Sequence, residues 1–261
     1  MVSDRTRLSF TEQTKGRTVE GNMATTKAPM ASTSEAEGPP AATARRGAFI
    51  LFEGVDRCGK TTQANLLVDG LKATGHDACF MRFPDRTTPI GQMINGFLQN
   101  TTDIDDRCVH LLFSANRWEA ESTIRKRLME GTTVVCDRYA YSGVAFSASK
   151  SAGLEVGWCK DPDRGLPAPD KILFLDISVE DAMKRGQFGE ERYEKEEFQR
   201  TVRGKFLTLM EEDQKTGVSW KLIDANRPID NIQDEIRETV TSVIEAVKEE
   251  KIASLWPRSD G

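Results

Sequence analysis

Five short apolar runs divide the chain, and each has the length of a β-strand. The runs cover residues 48–53, 78–83, 132–137, 171–176 and 220–225. The segments between them carry apolar residues at helical spacing, such as Ala64, Leu67 and Leu71 after the first run. The last segment predicts a helix whose apolar stripe is Ile232, Ile236, Val240, Val243 and Val247. Strands that alternate with helices indicate an α/β fold, here a five-stranded parallel sheet with helices on both faces.

Residues 1–46 lack this periodicity and are rich in Thr, Ala, Ser, Glu and Pro. Such a composition predicts a disordered N-terminal extension, which leaves 47–261 as the folded domain. Met23 or Met30 is an alternative start within the extension. The chain has no apolar stretch of about 18 residues, so we expect no membrane span.

Polar residues mark the predicted helix ends. Asp103 or Asp105 is placed to cap the helix after 100, and Ser178 is placed to cap the helix after the fourth run. Gly131 is expected to end the helix before the third run, because glycine accepts the left-handed conformation of that position.

A glycine-rich loop follows the first apolar run and precedes a helix. Its residues fit the pattern G-x-x-x-x-G-K-[ST]: Gly54, Val55, Asp56, Arg57, Cys58, Gly59, Lys60 and Thr61, with Thr62 next to them. Backbone N–H groups of such a loop converge on a triphosphate, and the helix N-terminus adds positive charge. Lys60 is expected to bridge the β- and γ-phosphates, and Thr61 to bind Mg²⁺. Five strands alternating with helices from such a loop resemble the nucleoside-monophosphate kinases.

Charged residues at the ends of other runs suggest phosphoryl transfer, which depends on alignment and charge neutralisation. Asp137 ends the third run and is a candidate Mg²⁺ ligand, while Arg138 and Arg86 form a candidate clamp for an acceptor phosphate. Arg57 is a candidate catalytic arginine supplied by the loop itself. Asp56 beside it suits a sugar hydroxyl better than a phosphate.

Two further features are less specific. Phe113 and Arg117 share one side of a helix at i, i+4, although Phe113 alone is equally explained as a core residue. Residues 184–195 have the glycine content and charge of a short lid. The five cysteines form no C-x-x-C pair, which indicates free thiols and a cytoplasmic location, and Cys58 is a candidate for oxidation.

Several blocks of the sequence resemble the eukaryotic thymidylate kinases. They include the phosphate loop with its flanks, 82–86, 111–119, 137–146, 158–160, 165–170 and 185–194, and the resemblance covers about residues 46–256. The resemblance implies transfer of the γ-phosphate of ATP to thymidine 5′-monophosphate (dTMP) with Mg²⁺. The loop arginine Arg57 implies the subtype that keeps its catalytic arginine there. The resemblance also implies a homodimer.

The resemblance assigns roles to individual residues. Phe113 stacks on thymine, and Arg117, Ser142 and Gly143 hold the base. Arg86 and Arg138 bind the acceptor phosphate, Asp56 binds the 3′-hydroxyl, and Phe83 lies in the same site. Phe146, with Tyr139 or Tyr141, excludes a 2′-hydroxyl. Arg192 closes over the ATP phosphates as a catalytic residue, and the stretch after Asp224 lies near adenine.

Three other functions fit the sequence less well. A deoxynucleoside kinase has no acceptor phosphate for Arg86 and Arg138 to bind. A regulatory GTPase needs an N-K-x-D stretch, which the sequence lacks. A DNA-dependent ATPase needs an extended basic face, whereas this chain carries a net charge of −5, so we expect no nucleic-acid partner.

Overall fold

The computed structural model describes residues 45–185 and 191–257. The extension predicted to be disordered therefore lies outside the described residues, except for Arg45 and Arg46. The centre of the predicted lid, residues 186–190, also lies outside them.

Five parallel strands form one sheet, as the apolar runs predict. The strands are Phe49–Glu53 (β1), Ala78–Arg82 (β2), Thr133–Asp137 (β3), Lys171–Asp176 (β4) and Trp220–Asp224 (β5). Their order is β2-β3-β1-β4-β5, and Phe52 of β1 pairs with Asp137 of β3. The central strands β1 and β3 are buried throughout, which explains their unbroken apolar sequence. Their carboxyl ends meet at the edge where open α/β sheets bind ligands.

Nine α-helices surround this sheet within the described part of the chain. They are Lys60–Ala73 (α1), Pro89–Leu98 (α2), Asp106–Glu119 (α3), Glu121–Met129 (α4), Ala140–Ala148 (α5), Val156–Lys160 (α6), Val179–Met183 (α7), Glu196–Gln214 (α8) and Ile229–Val247 (α9). A 3₁₀ turn, Asp161–Asp163, follows α6.

The predicted helix ends are confirmed. Asp105, rather than Asp103, caps α3 by accepting a hydrogen bond from the N–H of Arg107 at 2.9 Å. Ser178 caps α7 by accepting from the N–H of Asp181 at 3.1 Å. Gly131 follows α4 with φ = 88°, a conformation that costs an L-residue free energy.

The core has one layer on each face of the sheet. On one face, α1 and α9 pack on the sheet, and the predicted stripe of α9 is buried except for Val243, which is half-buried. On the other face, α4, α5 and α8 pack on alternate residues of the same strands. A smaller cluster joins α2 to α3 through Ile94, Phe97 and Val109. No helix within the described ranges is long and apolar enough to cross a membrane.

Candidate active site

The glycine-rich loop connects β1 to α1 and forms the floor of a cleft of about 690 Å³. Gly54 has φ = 147°, and a Cβ there would lie 2.6 Å from the backbone oxygen of Leu175, so only glycine fits. Gly59 has φ = 102° at the start of α1. Lys60 is buried, and its Nζ donates a hydrogen bond to the Val55 oxygen at 2.7 Å. The sequence prediction of a strand, a phosphate loop and a helix matches this geometry.

Two oxygens at the cleft suit a magnesium ion. Thr61 Oγ1 donates a hydrogen bond to Oδ2 of Asp137 at 2.5 Å. The other carboxylate oxygen, Oδ1, is buried and has no hydrogen-bond partner in the part of the chain described. No group of three His, Cys, Asp or Glu side chains in the described residues forms a metal cage. Two protein oxygens are still sufficient, because Mg²⁺ usually takes its remaining ligands from phosphates and water.

Asp56 and Arg138 form an ion pair beside the loop. The other terminal nitrogen of Arg138, Nη1, donates to the Gly54 oxygen and to Ser142 Oγ, each at 3.1 Å. Gln199 of α8 holds Asp56 from the other side. Its Nε2 donates to Asp56 Oδ2 at 2.6 Å, and its Oε1 accepts from the Asp56 N–H at 3.0 Å. Gln199 also donates to the Tyr193 oxygen at 3.0 Å, so it joins the loop to the start of α8.

Glu53, the last residue of β1, is fully buried behind this pair. Its carboxylate accepts hydrogen bonds from the N–H groups of Tyr139 and Ser142 at 3.1 and 3.0 Å, and from Ser142 Oγ at 2.6 Å. Burial raises the pKa of Glu53, although the nearby charge of Arg138 and these hydrogen bonds oppose the shift. Glu53 thus fixes the start of α5. No motif in the sequence marks a role for Glu53 or Gln199, so neither role was predicted.

A second cavity, of about 100 Å³, opens beside the phosphate-loop cleft. Its walls include every side chain that sequence analysis assigned to the acceptor: Asp56, Phe83, Arg86, Phe113, Arg117, Arg138, Ser142, Gly143 and Phe146. Tyr139 also lines the cavity, whereas Tyr141 packs against Trp220 and Trp256, with ring centroids 5.0 Å apart in each case. Of the two tyrosines predicted near Phe146, Tyr139 is therefore the one in the site.

Arg86 is one of the cavity residues that the predicted lid contacts. Its Nη1 donates to Asn95 Oδ1 at 2.8 Å, and its Nη2 donates to both carboxylate oxygens of Glu191 at 2.8 and 3.2 Å. Glu191 therefore occupies the guanidinium edge that a phosphate would use. Tyr193 also reaches the cavity, and its ring lies 5.6 Å from that of Phe146.

Helix α3 links the two ends of the cavity. Asn116 Oδ1 accepts from the Asp85 N–H at 2.7 Å, and its Nδ2 donates to the Asp85 oxygen at 3.2 Å. Asn116 thereby clasps the loop that carries Arg86 to the helix that carries Phe113 and Arg117. Sequence analysis included Asn116 only as part of a resemblance block.

Arg192 contacts α2 and the segment before α3, so its predicted catalytic role stays a prediction. Its Nε donates to the Phe97 oxygen at 3.0 Å, and its Nη2 donates to Asp103 Oδ1 at 2.7 Å. These contacts hold the guanidinium against the Phe97 ring, away from the phosphate loop. Arg185 lines the phosphate cleft instead: its Nη1 donates to the Cys58 oxygen at 3.0 Å and its Nη2 to the Ala225 oxygen at 2.6 Å.

Arg57 lies in the loop with φ = 65° and pairs with Glu194, with 3.0 Å between Nη2 and Oε1. Its side chain borders the phosphate cleft, as sequence analysis predicts for a loop arginine. Cys58 is buried, and its Sγ lies 3.5 Å from Lys60 Nζ. Oxidation of this thiol stays a prediction.

Comparison with known proteins decides the family. The family model for thymidylate kinase matches residues 52–236. The chain belongs to the thymidylate kinase family. It is 47% identical to thymidylate kinase from Danio rerio over 212 residues, which cover 81% of this chain and 98% of that relative. It is 47% identical to the Homo sapiens enzyme over 213 residues, with 82% and 99% coverage.

A solved structure agrees with this assignment. Thymidylate kinase from Candida albicans superposes with a TM-score of 0.72 at 34% identity, covering 83% of this chain and all of that chain. The resemblance to thymidylate kinases in the sequence blocks is confirmed, and so is the phosphate-loop kinase fold. As a member of this family the protein is an ATP-dependent dTMP kinase.

Proposed function

We propose that the phosphoryl group passes from ATP in the phosphate-loop cleft to dTMP in the neighbouring cavity, giving dTDP and ADP for the synthesis of dTTP. The observation that carries this proposal is that five residues line both spaces: Asp56, Arg82, Arg86, Arg138 and Glu191. Three of the five are arginines. Phosphoryl transfer requires positive charge at the point where donor and acceptor phosphates meet.

On the donor side, the loop N–H groups and Lys60 hold the β- and γ-phosphates. Thr61 and Asp137 would hold Mg²⁺, which would supply positive charge against the negative charge that develops on the phosphates. Arg57 reaches the transferring group from the loop and contributes to transition-state binding. Arg185 and Arg227 also line this cleft, near the segment predicted to lie against adenine.

On the acceptor side, Phe113 stacks on thymine and Arg117 donates to the base. Arg86 and Arg138 hold the 5′-phosphate, and the approach of dTMP displaces Glu191 from Arg86. Asp56 accepts from the 3′-hydroxyl. Phe146 and Tyr139 crowd the 2′ carbon, which favours deoxyribose.

The test is an ADP-release assay with Mg-ATP that offers dTMP, deoxyuridine monophosphate, cytidine monophosphate and thymidine in parallel. We expect a strong preference for dTMP, and no turnover after the metal is chelated. Activity on thymidine but not on dTMP would contradict the arginine clamp. Full activity in a chelator would contradict the metal role of Thr61 and Asp137.

We also propose a homodimer that packs through α2 and α3. These neighbouring helices expose Met93 and Leu111, whose side chains are about half accessible in the single chain. Exposed apolar side chains on adjacent helices suit a second copy of the same surface. Light scattering should give a dimer for the wild type and a monomer for Met93→Glu/Leu111→Glu. The matched control is Leu222→Glu, an equally exposed leucine on β5. A dimer that survives the double substitution would reject this interface.

We propose a cytoplasmic location, because all five cysteines are free thiols. Proteolysis of organelle fractions tests this. Recovery of the enzyme only inside a protected organelle would reject it.

A further inference from the structure

Arg117 is a buried arginine, so its charge needs a partner. The side chain is 2% exposed, although it lines the acceptor cavity. An unpaired guanidinium at such a place would be strongly destabilising. The partner is Asp163, which is fully buried and belongs to the 3₁₀ turn after α6, a segment distant in sequence from α3.

The pairing fixes the orientation of the guanidinium. Arg117 Nε donates to Asp163 Oδ1 at 3.0 Å, and Nη2 donates to Oδ2 at 2.5 Å. Such a two-point contact holds the guanidinium plane as well as its charge. The carboxylate is itself held, because Ser114 Oγ donates to Asp163 Oδ1 at 2.7 Å. Trp118 Nε1 donates to the Pro162 oxygen at 2.7 Å and anchors the turn.

The two terminal nitrogens of the guanidinium lie beside Gly143 on α5. A Cβ on Gly143 would lie 2.7 Å from Nη2 and 3.2 Å from Nη1. Within 45–185 and 191–257, Nη1 makes no hydrogen bond, and Gly143 lines the acceptor cavity. The free N–H groups are donors only, so they suit a carbonyl oxygen and oppose an amino group. Thymine has a carbonyl where cytosine has an amino group.

We propose that Asp163 is the positioning residue for base recognition: it fixes the guanidinium of Arg117 beside Gly143, so that Arg117 selects an acceptor base with a carbonyl group. Asp163 does not line the cavity and acts only through Arg117. The inference rests on the proposed role of Arg117 in reading the base. It adds the residue that sets the direction of the arginine's donors.

The decisive variant is Asp163→Asn, which keeps the side-chain volume but turns one acceptor into a donor. Its amide nitrogen would face the N–H of Arg117, so the guanidinium would turn. We expect the KM for dTMP to rise at least about tenfold, because roughly one hydrogen bond to a charged group is lost. The kcat and the KM for ATP should stay near wild type. The preference for dTMP over deoxycytidine monophosphate should fall by a similar factor. The matched control is Asp161→Asn in the same turn, whose side chain is 60% exposed and pairs with Arg164.

A second pair of variants guards against misfolding. Arg117→Gln/Asp163→Asn leaves no buried charge at this position, so it should fold even where Asp163→Asn does not. If Asp163 acts through Arg117, the double variant should have the same KM for dTMP, within about twofold, as Arg117→Gln alone. If Asp163 had only a structural role, Asp163→Asn would raise the KM for dTMP by the same factor in the wild type and in Arg117→Gln.

Each outcome has a distinct meaning. A folded Asp163→Asn enzyme with unchanged KM and base preference would overturn the proposal while leaving Arg117 as the base reader, provided Arg117→Gln shows the defect. If Arg117→Gln also keeps its KM and base preference, the proposed role of Arg117 is wrong and the inference fails with it. A parallel rise in the KM for ATP would show general damage and overturn the positioning role.

Discussion

Arg57 combines backbone strain with a proposed role in catalysis, and replacement by glycine should separate the two. Its φ of 65° lies in the left-handed region, which costs a non-glycine residue roughly 1–2 kcal/mol. The ion pair to Glu194, with the Arg57 side chain 30% exposed, returns about 0.2–1 kcal/mol. We therefore expect the free energy of unfolding of Arg57→Gly to lie within about 1 kcal/mol of the wild-type value, which corresponds to about 2–4 °C in Tm.

The catalytic loss should be much larger. An arginine that stabilises the transferring phosphoryl group contributes about 10³ or more in kcat. This factor corresponds to about 4 kcal/mol of transition-state binding. Because the contact strengthens only in the transition state, the KM values for ATP and dTMP should change little. Steady-state ADP release at saturating Mg-ATP and dTMP measures the loss, and thermal unfolding measures the stability.

Two matched variants complete this experiment. Arg57→Ala removes the same guanidinium but keeps the backbone strain, so it should be as inactive as Arg57→Gly and less stable by about 1 kcal/mol. Arg185→Ala removes another arginine that contacts the loop. A kcat of Arg57→Gly within tenfold of the wild type would refute the reasoning. A large loss of kcat in Arg185→Ala, without one in Arg57→Gly, would identify Arg185 as the catalytic arginine.

Three further predictions concern the lid, the loop and the core. Glu191→Gln should lower the KM for dTMP by up to about fivefold at low salt, because a partly exposed ion pair of about 0.2–1 kcal/mol no longer competes for Arg86. Gln199→Met should lower kcat/KM for dTMP about tenfold or more, because Asp56 loses two hydrogen bonds, and should affect 3′-deoxythymidine monophosphate less. Burial and the charge of Arg117 lower the pKa of His110 to about 4. The unfolded chain therefore binds a proton at this histidine at a higher pH than the folded chain does. The free energy of unfolding should fall by up to about 3 kcal/mol as the pH drops from about 6.5 to 4, and His110→Gln should flatten this dependence.

Each of these has an internal control. Glu196→Gln breaks an exposed ion pair to Arg200 and should leave the KM for dTMP unchanged. An equal loss for dTMP and its 3′-deoxy analogue in Gln199→Met would separate Gln199 from the 3′-hydroxyl. The chain has one other histidine, His76, and the acid slope should persist in His76→Gln. A slope that also persists in His110→Gln would show that another group causes it.

Local sequence patterns predicted most of the fold. The five strands begin and end within one residue of the apolar runs. For β1, β3 and β4 the reason is burial on both faces, which requires unbroken apolar sequence. The caps at Asp105 and Ser178 follow from local side-chain chemistry. The strand order β2-β3-β1-β4-β5 was not predicted, because pairing depends on contacts between distant segments.

The candidate site divides in the same way. The phosphate loop is contiguous, so its residues were predicted together. Asp163, Gln199 and Glu53 each act by contacting another site residue across long sequence separations, and no spacing rule marks them. The resemblance assigned Arg192 to the ATP phosphates, and its contacts with Asp103 and the Phe97 ring were not predicted, because they too join segments distant in the sequence.

The clasp between Asn116 and Asp85 gives the acceptor cavity a fixed length. Arg117 follows Asn116 directly in the chain. One turn of α3 therefore fixes the position of the Arg117 donors relative to the loop that carries Arg86. Under the proposed roles of Arg117 and Arg86, α3 sets the distance between the base and the phosphate of the bound nucleotide. Because α3 fixes this distance, we expect the cavity to accept a monophosphate and reject a diphosphate even when the base is the same.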